Sequence, residues 1–262
     1  MFTIPTVIFK GGDSMLFVVD FDGTLSVRDT VDAMLERFAD PSWEEIEKEW
    51  LDGHITAVQC MQKQVRMVKA DHVALENFFR SIQLDASFLP FYKHVSQFAK
   101  VAVVSDGLDH AIKVAMKNAA FPDLPIYANK LHFVPDGIDM SWPHKNPSCN
   151  AGNGVCKCKV AQDLSGGEKP VVLIGDGKSD ACLAKSADIV FAKGSLIKYC
   201  ETNNIPHFKF QNFAYDRINI FVYRLNFSYS YCCYYCFFRG YSCGCLSYQH
   251  WVWVCLLPLL LN

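Results

Sequence analysis

The chain has 262 residues and a formal net charge of −2, and half of its residues are apolar. That length accommodates one α/β domain with an insertion, or two small domains. The near-neutral charge argues against nucleic acid or an acidic membrane surface as the partner.

Residues 1–14 have no cationic start, no long apolar run and no small-residue cleavage site, so they do not read as a signal peptide. We take them as an N-terminal extension. The run MLFVVDF (15–21) then predicts a buried strand that ends in two carboxylates, Asp20 and Asp22, followed by Gly23 and Thr24. From 31 to 83 no strand is evident. Trp43, Ile46 and Trp50 suggest one helix, Val58, Met61, Val65 and Val68 a second, and Phe78, Phe79 and Ile82 a third, all at helical spacing. The helical insertion is bounded at 31–89, between a core of 15–30 and 90–212. Its tryptophans and paired phenylalanines read as its own packing rather than a substrate cage.

Further strands are predicted at KVAVVSD (100–106), PVVLIGD (170–176) and DIVFA (188–192), with weaker signals at PIYAN (125–129) and PHFKF (206–210). KLHFVPDGIDMSW (130–142) reads as a hairpin turning at Pro135-Asp136-Gly137. Strands alternating with helical segments imply βαβ units, a parallel sheet and an α/β fold of Rossmann-like type. Ser105-Asp106-Gly107 and Asp176-Gly177 end two of these strands as Asp20 to Gly23 ends the first. Carboxyl ends of parallel strands lie along one edge, where open α/β sheets bind ligands.

From about Asn212 the composition shifts to Tyr, Phe and Cys with almost no charge. We treat 213–262 as an irregular tail that is either a non-native reading frame, a lineage-specific addition or a membrane-associated segment. Its last apolar run, Trp251 to Leu261, has 11 residues and contains Pro258, whereas a spanning helix needs roughly 20. Of the twelve cysteines, six crowd into the tail and six are scattered through an enzyme-like chain. That placement suggests reduced thiols in the cytoplasm.

A carboxylate attacks phosphorus only when its charge is screened, which a divalent cation can do. On this reading Asp20 is the nucleophile. Asp22 is the general acid and base, first protonating the departing alcohol and then deprotonating the attacking water. DFDGT resembles the first motif of the haloacid dehalogenase superfamily of phosphatases, and three later stretches resemble its other motifs in order. The resemblance implies that Ser105, Asp106 and Gly107 bind the phosphoryl group. It implies that Lys157 in VCKCK, just ahead of a helix, neutralises nucleophile and phosphate, with Lys159 as a competitor for that role. In IGDGKSD it places Asp176 on magnesium beside Asp20 and Asp22, with Asp180 supporting from behind and Thr24 bonding near the first acid. It also implies a helical cap of the first type at the insertion, Mg2+ as cofactor and a small phosphorylated metabolite as substrate. An acid two residues after the nucleophile favours ester hydrolysis over dehalogenation. DTVDAMLERFADPSWEEIEKEWLDGHIT and SWPHKNPSC resemble the methionine-salvage phosphatases of 2-hydroxy-3-keto-5-methylthiopentenyl-1-phosphate. Phosphoserine and phosphocholine/phosphoethanolamine phosphatases are the alternative.

Other readings compete. Asp-x-Asp alone is a solvated turn, Ser105 alone a helix N-cap, and Asp180 alone a first-turn acid suited to the helix dipole. Gly177-Lys178-Ser179 is not a phosphate loop, because position 172 is Val where that motif needs Gly. His144, Cys149, Cys156 and Cys158 could hold zinc, although one residue between the last two is tighter than usual. A signalling receiver also gathers acids, a hydroxyl and a lysine, but lacks such an insertion. A non-enzymatic remnant is the remaining class. Oligomeric state is left open.

Overall fold

A computed structural model describes residues 15–135, 137–149, 151–167 and 170–214. The N-terminal extension, the turn residue Asp136 and the tail from 215 onward lie outside the described residues, and so does the membrane question for 251–261. Among the described residues no helix is long and apolar enough to cross a membrane.

Seven strands form one sheet in the order β4-β3-β2-β1-β5-β6-β7. β1 (Met15–Val19) is central and pairs in parallel with β2 (Ala99–Leu108) and β5 (Val171–Gly175), Val19 standing beside Val103 and Ile174. Every residue of β1 is buried. That is why it reads as an unbroken apolar run and not as an alternation. β6 (Ile189–Ala192) and β7 (Phe208–Lys209) continue the parallel sheet on one side. On the other side β3 (Ile126–Val134) joins β2, and β4 (Gly137–Ser141) closes the expected hairpin antiparallel to β3.

Helices cover both faces. Leu16 and Val18 of β1 point to a core shared with α7 (Lys157–Ser165), α8 (Ala181–Ala184) and α9 (Gly194–Thr202). Phe17 points the other way and meets Phe91 of α5 (Phe88–Val95) edge to face, with ring centres 5.7 Å apart. Phe213, placed by sequence in the tail, is buried here. It lies 5.0 Å from Phe88 and 5.2 Å from Phe91, and its N–H donates to Asp85 Oδ2 at 3.1 Å. The packed body thus reaches one residue past the boundary expected from composition.

Between β1 and β2 lie α1 (Thr30–Phe38), α2 (Trp43–Leu51), α3 (Ala57–Val65) and α4 (His72–Ser81). Asp29 caps α1 through the N–H groups of Val31 and Asp32, Thr56 and Gln59 form a capping box on α3, and Asp71 caps α4. Each satisfies donors that a helix start leaves orphaned. The inner faces of α1, α3 and α4 (Val31, Met34, Leu35, Val65, Leu75, Phe79) bury against Leu131, Ile138 and Met140 of the hairpin and Ala111 of α6 (Asp109–Asn118). Val68, expected inside the second helix, follows it and is buried all the same. The segments entering and leaving this layer pair with each other: Ser26 bridges Leu84, and Val27 N donates to Gln83 O at 2.9 Å.

Candidate active site

Three strand ends converge. The N–H of Asp20 donates to Ile174 O at 2.9 Å, which extends the central ladder by one residue and fixes where the first carboxylate stands. The chain then makes a wide turn over Phe21–Leu25 in which Gly23 takes φ +65°. A Cβ there would lie 2.5 Å from Asp176 Oδ2, so glycine is needed for both the left-handed backbone and the close approach of the acid.

Asp20 is 4 % exposed, and its Oδ1 accepts from Phe21 N at 2.8 Å and from Lys157 Nζ at 2.7 Å. Lys157 is fully buried and also donates to Asp180 Oδ1 at 2.6 Å. The amine is thus clamped between two acids. Burial pulls its pKa down, but Asp180 and Asp20 outweigh this and raise it above the ordinary lysine range. Lys159, the competitor, pairs with Asp163 on the exposed outer face of α7 and has no part in the cluster. Lys157 is the first residue of α7, not a residue ahead of it.

Asp180 Oδ2 accepts from the N–H groups of Asp176 and Gly177, each at 3.2 Å. It holds Lys157 with one oxygen and the β5 loop with the other. Asp176 carries Thr24 Oγ1 on its Oδ1 at 3.2 Å, so the acid that Thr24 bonds near Asp20 is Asp176. Carboxylate oxygens of Asp20, Asp176 and Asp180 lie within 4.8 Å of one another. Burial and the neighbouring Asp180 raise Asp20 well above the usual carboxylate range and Asp176 to about 6, with Lys157 offsetting part of the effect. One lysine among three crowded acids leaves excess negative charge on hard oxygen donors. That donor set fits an oxygen-preferring divalent cation. Because Asp180 is committed to Lys157 and two backbone amides, Asp20 and Asp176 are the side chains left to hold it.

The carboxylate of Asp22 lies outside the side-chain cluster of Asp20, Asp176 and Asp180. Its Oδ1 accepts from the N–H of Thr30 at 2.9 Å and from the Thr30 hydroxyl, and its Oδ2 accepts from Ser105 Oγ at 3.2 Å. Burial first, and Asp29 second, push its pKa up to about 7. Ser105 is fully buried and its Oγ accepts from Gly107 N at 2.9 Å. It is not a helix N-cap, since α6 starts four residues later with Leu108 at that position. A Cβ on Gly107 would lie 2.1 Å from Asp22 Oδ2, so only glycine leaves room for that acid.

The carboxylate of Asp106 faces the scaffold. Its Oδ1 accepts from Val155 N at 2.8 Å and from Asn129 Nδ2 at 3.1 Å. Its carboxylate ties the end of β2 to β3 and to the loop before α7, and is spent on scaffolding. Asn146 Nδ2 approaches Cys156 Sγ at 3.8 Å. His144, Cys149, Cys156 and Cys158 form no metal-ligand group among the described residues, and all six cysteines described are free.

Three contributors escaped sequence reading. Thr30, the first residue of α1, bonds Asp22 from the insertion side. Lys193 reaches the carbonyl of Thr24 at 3.4 Å and sits in the field of Asp176, Asp85 and Asp20, while burial lowers its pKa. Lys178 lies 4.5 Å from the ring centre of Trp50 on α2, joining the β5 loop to the insertion. The only signal was position: Thr30 follows an Asx cap, and Lys193 and Lys178 follow strands.

Comparison with known proteins agrees with this geometry. A family model described as "Putative Phosphatase" matches residues 15–197. A 2-hydroxy-3-keto-5-methylthiopentenyl-1-phosphate phosphatase of Exiguobacterium sibiricum is 31% identical over 207 residues, covering 76% of this chain and 93% of that protein. One of the same name from Geobacillus kaustophilus is 27% identical, covering 79% and 98%. Among solved structures, a phospho-aspartyl intermediate analogue of phosphoserine phosphatase matches with a TM-score of 0.57 at 20% identity, covering 76% of this chain and 95% of that one. A phosphoserine phosphohydrolase-like protein from Francisella tularensis matches with 0.56 at 20%, covering 77% and 96%. They share the fold, a Rossmann-like sheet with helices on both faces. The chain belongs to this phosphatase family within the haloacid dehalogenase superfamily, and it is a phosphoric monoester hydrolase.

Proposed function

We propose that the chain is a Mg2+-dependent phosphomonoesterase that works through a phosphoryl group carried on Asp20. The observation that carries this reading is the buried Asp20–Lys157–Asp180 chain, which fixes one oxygen of Asp20 at 2.7 Å from an ammonium and leaves the other for phosphorus. Asp20 Oδ2 forms a bond to phosphorus as the ester oxygen leaves. Asp22, held near neutrality at about 7, gives that oxygen its proton. Water then attacks the aspartyl-phosphate, Asp22 takes the proton back, and inorganic phosphate and free Asp20 result. Ser105 Oγ and Gly107 N stand beside Asp22 to accompany the phosphoryl oxygens, and Lys157 offsets their charge. Mg2+ held by Asp20 and Asp176 would screen the nucleophile from the phosphate it attacks. Asp22 is assigned to proton transfer and not to the metal. The four helices α1–α4 serve as the cap.

For the substrate, the relatives named above support 2-hydroxy-3-keto-5-methylthiopentenyl-1-phosphate. One observation favours a second reading. Asp29 and Asp32 are exposed at the start of α1, and their charges lie within interaction range of Asp22 and Glu47. An acidic wall of this kind suits a cationic substrate such as phosphocholine, phosphoethanolamine or phosphoserine. The test is phosphate release with and without Mg2+ over a panel of these four compounds. Asp20→Asn should abolish release with every one, and full activity in that variant would refute the assignment. Preference for the ketone ester supports the first reading, and preference for an amine supports the second.

A further inference from the structure

A second group of ligating side chains lies outside the site described above, at the seam between α4 and α6. His72 Nε2, Glu76 Oε1 and His110 Nε2 lie within 4.8 Å of one another. His72 and Glu76 are one helical turn apart on α4 and so share a face. His110 comes from α6 on the far side of the seam. Glu76 Oε1 faces both imidazoles, at 2.5 Å from His110 Nε2 and 3.9 Å from His72 Nε2. Its other oxygen, Oε2, is held by Arg80 at 3.4 Å. The carboxylate is thereby oriented with one oxygen for the histidines and one for the arginine, the kind of outer support that fixes a ligand. Phe133 of β3 stands edge-on to both rings, 4.3 Å from His72 and 5.3 Å from His110, and limits their rotation.

We propose that His72, Glu76 and His110 form a binding site for a divalent transition-metal ion of the zinc class, which fastens α4 to α6. Two imidazole nitrogens and one carboxylate oxygen on one side of a common point are a donor set zinc accepts, with a fourth position open to water. The donor chemistry separates this site from the acidic cluster, because imidazole selects zinc over magnesium while oxygen-only donors do the reverse. The spacing is of the order such an ion needs: ligand atoms about 2.0–2.1 Å from zinc lie roughly 3.3 Å apart in a tetrahedron, and the separations of Glu76 Oε1 from the two imidazoles, 2.5 and 3.9 Å, straddle that value. Binding draws His72 inward and replaces the direct His110–Glu76 contact. Because α4 belongs to the inserted layer and α6 follows a catalytic strand, the ion would restrain the insertion against the sheet without touching the catalytic acids.

The experiment is a Zn2+ titration of the full chain by calorimetry in saturating Mg2+, with thermal unfolding measured in parallel. The wild type should bind one equivalent, and Tm should rise on the order of 5–10 °C at a hundred-fold excess over Kd. His72→Ala removes a largely exposed side chain outside the buried core, with its ring contact to Phe133. It should weaken binding by at least about 100-fold and cancel the Tm rise, as should His110→Ala. Asp176→Asn should leave both unchanged. No binding by the wild type, unaltered binding by the histidine variants, or loss of the event in Asp176→Asn would each overturn the proposal.

Discussion

Two regions of this molecule handle charge in opposite ways. At the strand ends, Asp20, Lys157 and Asp180 are almost wholly buried, and the Lys157 amine is in contact with both acids. Along the insertion and its seam with the hairpin, charged pairs such as Arg66–Asp139 and Arg80–Glu76 have side chains with one partner more than half exposed. Water screens those pairs and they contribute little, whereas removing one member of a buried pair strands the other without solvent. The rim at the strand ends is therefore rigid because its charges have no alternative partners. The insertion depends on apolar burial, and its surface charges are replaceable.

The largest effect that would sharpen this contrast is catalytic. Asp20→Asn should lower phosphate release by roughly 10⁴-fold or more, with the fold intact by circular dichroism. Next comes stability. Lys157→Met should cost about 3–5 kcal/mol by urea unfolding, because it leaves Asp20 and Asp180 uncompensated. That loss should be smaller at pH 5 than at pH 8, since burial raises Asp20 and makes it easier to protonate at the lower pH. Lys159→Met, two residues along the same helix, should stay within about 0.5 kcal/mol of wild type, and a large loss there would break the comparison. A third test concerns pH. On the proposed mechanism Asp22, held at about 7, must be protonated to assist the leaving group, so kcat/KM should fall about tenfold per pH unit above that value. The same raised pKa disfavours the metal-free fold as pH rises from about 4 to about 7, so Asp22→Asn should be less active yet more stable at pH 8. The smallest expected effect is Arg66→Ala, which removes the paired contacts of 3.3 and 3.0 Å to Asp139. It should cost only about 0.2–1 kcal/mol and fade with added salt.

Much of the rim was legible because its chemistry is local. Asp20, Asp22, Gly23 and Thr24 are consecutive or nearly so, the strand before them is uniformly apolar, and parallel topology forces their meeting with Ser105 and Asp176. What the sequence could not give is which way each side chain turns at that edge. Asp106 turns to Val155 N, Thr24 to Asp176 and Asp22 to Ser105, and these choices rest on backbone positions many residues away. Helices in the insertion were readable from periodicity, as with Trp43, Ile46 and Trp50. Their docking was not, because Leu75 and Phe79 join a core shared with Ala111 of α6 and with Leu131 and Ile138 of the hairpin, which no period within α4 identifies. His110 and Glu76 are 34 residues apart, a separation at which no spacing rule applies.

The pairing of Ser26 with Leu84 carries one more consequence. Since the two connecting segments are already hydrogen-bonded neighbours, the loop they close costs little more in entropy whatever length of chain lies between them. The layer above the catalytic edge is thus exchangeable as a cassette, provided the replacement supplies an apolar face for the hairpin and a hydroxyl where Thr30 stands. Selectivity for the organic half of an ester could then be rewritten by grafting, with the phosphorus-handling machinery left untouched.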